Sequence, residues 1–138
     1  MKGKHFVFDT NSLISAALIS SSVNRAALKK ADEIGLLIFS IETLMELNEV
    51  LIRSKFDKYL SLDERLEYSE RLETRGKIIT TSSNFTDCRY IKDNKFLNRA
   101  YDSKSLCIIT GDQDLLILNP FHNIPIISPA DFLNTFRL

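Results

Sequence analysis

Phe6-Val7-Phe8-Asp9-Thr10-Asn11 is a short apolar run that stops on an acid followed by two hydrogen-bonding side chains. Outward from it, similar runs recur as Leu36-Leu37-Ile38-Phe39, Ile78-Ile79, Leu106-Cys107-Ile108-Ile109 and Ile124-Pro125-Ile126-Ile127. Runs this short and continuously apolar fit strands covered on both faces, as in a parallel sheet. Helical patterns lie between them. Val23 to Ile34 carries Ala26, Ala27, Ala31 and Ile34 at helical spacing, with Gly35 read as a left-handed closing residue. Ser40 is placed to cap the next helix, whose Ile41, Leu44, Leu47 and Leu51 form one apolar stripe. Ser61 and Glu64 match a capping box opening a charged helix that Gly76 closes, and Pro129 follows Ser128 at the start of a last helix. The alternation predicts an α/β fold: a three-layer α/β/α sandwich around a central, mainly parallel sheet of four to five strands, with right-handed crossovers.

The 138 residues are expected to form one domain, 1–138, with no repeat or internal boundary. At this size a chain buries about two-thirds of its unfolded surface. Apolar residues make up 44% and charged residues 26%, which excludes disordered and fibrous classes. The 18 basic and 18 acidic side chains cancel, so any polyanionic partner must find a local cationic patch. No apolar run is long enough to cross a membrane, and the three apolar residues before Asp9 do not make a signal peptide. Cys88 and Cys107 lack CxxC spacing, pointing to a reducing cytoplasm, and with only His5 and His122 beside them a zinc site is not expected.

In open parallel sheets, ligands bind beyond the carboxyl ends of the strands, where strand order reverses. Asp9 follows one apolar run, and Thr110-Gly111-Asp112-Gln113-Asp114 follows another. If those strands are neighbours, Asp9 and Asp112 share a crevice whose mutual repulsion a hard cation would offset. The competing reading is that both acids are ordinary turn and cap residues. Composition and spacing stop at an α/β domain with an acidic crevice.

Four segments then carry a resemblance. Val7 to Ala16, Leu44-Met45-Glu46-Leu47 with Val50-Leu51, Asp93-Asn94-Lys95-Phe96-Leu97, and Ile109 to Leu116 resemble a PIN domain in order and spacing, and the similarity continues through Ile127 to Leu133. It is greatest to prokaryotic PIN proteins classed as toxins of toxin–antitoxin pairs. The resemblance implies a Mg2+- or Mn2+-dependent endoribonuclease in which Asp9, Glu46, Asp93 and Asp112 are the catalytic acids. Asp9, Asp93 and Asp112 would hold the metal. Thr10, Asn11, Asn94, Thr110 and Asp114 would support them, Asn94 also serving as a substitute oxygen ligand. One departure stands out: relatives read Cys-Arg-Asp-Pro before the third acid, whereas Tyr90-Ile91-Lys92 follows Cys88-Arg89 here. The entry to the Asp93 helix is therefore expected to differ.

Each site residue has a plainer reading. Glu46 lies at the edge of the apolar stripe, a place equally suited to a solvated glutamate, and Asp93 could simply cap its helix. Lys92, Lys95 and Arg99 would hold substrate phosphates, or form a solvated cationic face like Arg65, Arg71 and Arg75. The expected partners are an RNA substrate and a small antitoxin protein, in the cytoplasm and away from membranes. Leu18, Ile19 and Val23 would support a homodimer or pack on their own core. The alternative function is a PIN-like domain without catalysis that binds nucleic acid or protein. A response-regulator-like phosphoacceptor lacks its acidic pair before the first helix.

Overall fold

A computed structural model describes residues 3–135. Five parallel strands, β1 (His5–Phe8), β2 (Leu36–Phe39), β3 (Lys77–Ile78), β4 (Cys107–Ile109) and β5 (Ile126–Ile127), lie in the order β3-β2-β1-β4-β5. Seven α-helices connect and cover them: α1 (Thr10–Leu18), α2 (Val23–Ile34), α3 (Ile41–Leu51), α4 (Leu62–Arg75), α5 (Asn94–Ser103), α6 (Gln113–Leu116) and α7 (Pro129–Thr135). This is the three-layer α/β/α arrangement that the alternating pattern predicts. No helix among the described residues is long and apolar enough to cross a membrane.

Period-two alternation within the strands divides the core. Phe6, Phe8, Leu37, Phe39, Cys107 and Ile109 join a cluster with α1, α2, α3, α4 and α7. Val7, Ile38, Ile108 and Ile126 point the other way, into a cluster with Phe96, Leu97, Ala100 and Leu115 of α5 and α6. Both faces are covered, so the strands read as unbroken apolar runs. The strands are shorter than those runs: Leu106 is 40% exposed ahead of β4, and Ile79 passes β3 while still donating its N–H to the Phe39 carbonyl.

Several local expectations need correction. Gly35 and Gly76 end their helices in extended backbone, and no glycine has a positive φ among the described residues. Space, not handedness, excludes a side chain there: a Cβ at Gly35 would stand 2.3 Å from the Lys4 carbonyl oxygen, and one at Gly76 2.7 Å from the Phe39 ring. The left-handed closing residue is Lys104, after α5, at φ 56°. Leu28 replaces Ala26 on the buried face of α2. Ile41 is 60% exposed, and Thr43 takes the buried position while completing a capping box with Ser40. Arg65 is fully buried, donating to the carbonyls of Leu51 and Arg53 and pairing with Asp57, so it ties the end of α3 to α4. Leu18 packs against the core, whereas Ile19 and Val23 are exposed.

Candidate active site

Chain order runs outward in both directions from the β1–β4 pair, which makes this pair the switch point of the sheet. Phe8 is in register with Ile109, so the segments leaving β1 and β4 emerge side by side. Asp9 is 5% exposed. Its Oδ1 accepts the Ser12 N–H at 3.0 Å and caps α1, while Oδ2 accepts the Thr110 hydroxyl at 2.6 Å. Thr110 is fully buried and accepts the Asp112 N–H at 3.0 Å. Asp112 in turn caps α6 by accepting the Asp114 N–H at 2.9 Å. Capping and a place in the crevice coexist in both acids, because a carboxylate offers lone pairs to both.

Asp9, Glu46, Asp93 and Asp112 all line one crevice of about 210 Å³, together with Asn11, Lys92, Arg53 and Tyr90. Burial raises the Asp9 carboxyl above its ordinary range; bonds from Ser12 and Thr110 oppose that, and the Asp112 charge adds to it. Asp93 ends a short 3-10 turn, Ile91–Asp93, and makes no capping bond to α5. Burial pushes its carboxyl up to about 7, with the hydrogen-bonded, like-charged Asp112 adding to the rise and Lys95 opposing it. Glu46 is held differently. Thr10 donates its hydroxyl to Oε1, and Lys95 Nζ stands 2.9 Å from Oε2.

The loop that leads to Tyr90-Ile91-Lys92 is held by α5. Asn94, Asn98 and Asp102 recur every fourth residue and accept, in turn, the N–H groups of Cys88 at 2.8 Å, Phe85 at 2.7 Å, and Ser82 and Ser83 at 2.6 and 3.1 Å. One helical face thus anchors the strandless loop before Asp93. The Asn94 amide oxygen is engaged by Cys88, and the residue is 7% exposed. Asp114 is half-buried, with its carboxylate 4.0 Å from Arg89.

The cationic residues separate. Lys92 is exposed on the crevice wall, and Lys95 is paired with Glu46. Arg99, expected to face substrate phosphates, is corrected: it is 1% exposed, beneath the site, and donates to the Phe8 carbonyl at 2.8 Å. Arg53 takes the open position. It lies two residues beyond the end of α3, in extended backbone, so helical spacing from Glu46 gave no signal for it. A larger cleft of about 400 Å³, lined by Arg25, Asp32, Tyr68 and Arg75 among others, contains none of the four acids.

A sequence profile of the PIN domain matches residues 5–114. The chain belongs to the PIN domain family. PIN domains are in general divalent-metal-dependent nucleases. An uncharacterized protein of Methanocaldococcus jannaschii is 31% identical over 142 aligned positions, which span 95% of this chain and 90% of that protein. Two solved structures share the fold. VapBC2 from Rickettsia felis, bound to a DNA fragment from their promoter, has a TM-score of 0.59 at 13% identity, over 90% of this chain and 98% of that one. PAE2754 from Pyrobaculum aerophilum has a TM-score of 0.60 at 14% identity, over 96% and 89% respectively.

The donor chemistry of this PIN domain suits a hard cation, since its crevice offers carboxylate oxygens from Asp9, Asp93 and Asp112, and the Asp112 charge adds to the rise of the other two. Among the described residues, no three acidic, His or Cys side chains already stand as a ready ligand set. Magnesium tolerates that arrangement, because it keeps several waters and uses one or two carboxylates directly.

Proposed function

We propose that this PIN domain is an endoribonuclease dependent on Mg2+ or Mn2+, and the toxin of a toxin–antitoxin pair. The observation that carries the reading is the meeting of Asp9, Glu46, Asp93 and Asp112 in one crevice at the sheet's switch point. Asp9, Asp93 and Asp112 would hold the ion. A bound divalent ion supplies a lowered pKa for the attacking water and offsets charge developing on the phosphate. Asp9 presents its carboxylate in a fixed pose, because Ser12 and Thr110 occupy one position on each oxygen. Glu46, held by Thr10 and Lys95, would ligate the ion through water or orient the attacking water. Lys92 and Arg53 face the crevice and would bind the flanking phosphates.

The fold shared with VapBC2 supports a small antitoxin partner that covers the crevice. Exposed Ile19 and Val23 support a homodimer, which equilibrium sedimentation would detect. We place the protein in the cytoplasm, acting as one domain. The ion pair between Lys95 and Glu46 favours one competing reading, a PIN-like module that binds nucleic acid without cutting it. Incubation of wild type and Asp9→Asn with several single-stranded RNAs in Mg2+, Mn2+ or EDTA decides between them. Cleavage confined to wild type with metal is expected; equal, metal-independent backgrounds would leave the binding module.

A further inference from the structure

Arg99 is a costly side chain to bury. It is 1% exposed, stacked with its guanidinium carbon 5.3 Å from the Phe96 ring centre and 5.8 Å from that of Phe39. Its terminal nitrogen donates to the Phe8 carbonyl at 2.8 Å, and its buried Nε has no hydrogen-bond partner among the described residues. Removing a guanidinium from water is costly unless opposite charge offsets it. One carbonyl and two rings are a weak return. A methionine or leucine would fill the gap between α5 and the sheet without that cost.

The offset comes from the acidic crevice. Phe8, whose carbonyl Arg99 holds, is followed directly by Asp9, and Phe96, on which it stacks, forms part of the crevice wall. Burial pulls the guanidinium down to about 9, and the charges of Asp9 and Glu46 oppose that fall through the low-dielectric core.

We propose that Arg99 is a built-in counter-cation that holds the acidic crevice together without metal and, by its repulsion, weakens the crevice's affinity for divalent ions. Arg99 is a positioning residue, since Phe8 and Phe96 stand between it and any substrate. It fixes the peptide that carries Asp9, and its charge lowers the negative potential that attracts an ion. A protein built this way stays folded when metal is scarce and loads only when metal is plentiful.

The inference rests on reading the crevice as a metal site, and the test separates the two. Mn2+ titrations, with free Mn2+ measured by electron paramagnetic resonance, are run on wild type, Arg99→Met, Arg99→Lys and Asp9→Asn. Thermal melts of each are recorded in EDTA and in MnCl2. Arg99→Met should bind Mn2+ about tenfold tighter, the scale expected when one partly screened unit charge stops opposing a divalent ion. Arg99→Lys, which keeps the charge, should stay near wild type. Arg99→Met should also melt lower in EDTA and gain more from Mn2+ than wild type does. If it does not fold in EDTA, Mn2+ should restore a cooperative melt. Unchanged or weaker Mn2+ binding by Arg99→Met, or a variant unfolded even in Mn2+, would make Arg99 a plain structural residue. A wild type that binds no Mn2+ would overturn the metal-site reading and this inference together.

Discussion

Thr110 donates its hydroxyl to Asp9 Oδ2 at 2.6 Å and accepts the backbone N–H of Asp112 at 3.0 Å, so a single buried side chain sets the distance between the first and last acids of the crevice. Two strand ends 101 residues apart in sequence are coupled by this hydroxyl. Replacing it with a methyl group of nearly the same shape would leave both partners in place but unconnected.

Thr110→Val should therefore cost about 1–3 kcal/mol of stability, the usual penalty for a buried polar group left unpaired. RNA cleavage should fall by about tenfold or more, because small displacements of reacting groups are expensive. Thr110→Ser, which keeps the hydroxyl, should recover most of both. Chemical denaturation and single-turnover cleavage measure the two effects; a stable, fully active Thr110→Val would show that Asp9 is positioned by Ser12 alone.

The pH dependence of the metal-free protein follows from Asp93. Its carboxyl lies at 3.8 when unperturbed and is pushed up to about 7 in the folded chain. Between those values the folded state holds a proton that the unfolded state has released, so stability is greatest at acidic pH and is lost as pH rises through about 7. Melting in EDTA should show this fall, Asp93→Asn should flatten it, and added Mg2+ should oppose it at high pH. A profile in EDTA identical for wild type and Asp93→Asn would show that neither burial nor Asp112 raises the Asp93 carboxyl in the folded chain.

Asp112→Asn tests the same repulsion from the other side. Asparagine can still cap α6, so the substitution removes a charge without removing the bond to the Asp114 N–H. In EDTA at neutral pH the variant should melt at or above the wild-type temperature. Wild type should gain about 2.7 kcal/mol from Mg2+ at a hundred times its Kd, and the variant less at the same concentration. Destabilisation with an unchanged Mg2+ response would mark Asp112 as a cap and nothing more.

Asn94→Ala removes the acceptor for the Cys88 N–H in a buried setting and should destabilise by about 1–3 kcal/mol. Because this bond pins the loop that leads to Asp93, limited proteolysis should begin within residues 80–90 in the variant. A cleavage pattern unchanged from wild type would assign the anchoring to Asn98 and Asp102.

The sequence by itself determined the layers and the acids. Five apolar runs alternating with amphipathic helices allow few arrangements other than helices on both faces of a parallel sheet, and two of those runs end in Asp9 and Asp112, whereas Glu46 and Asp93 were pointed to only by the resemblance of four short segments to PIN domains. Ser40, Ser61 and Ser128 were legible as helix starts because capping is local chemistry. Tertiary structure decided whatever depends on neighbours remote in sequence. Gly35 reads as a helix terminator, but its constraint is the Lys4 carbonyl, 31 positions earlier. Lys95 and Arg99 look alike on a helical wheel; packing of α5 against β1 turns one toward Glu46 and buries the other under Phe8. Asn94 reads as a spare ligand, and only the path of the loop shows it holding Cys88. Periodicity says which face of an element is buried, whereas the partner of a buried polar group depends on which distant backbone atom the fold brings to it.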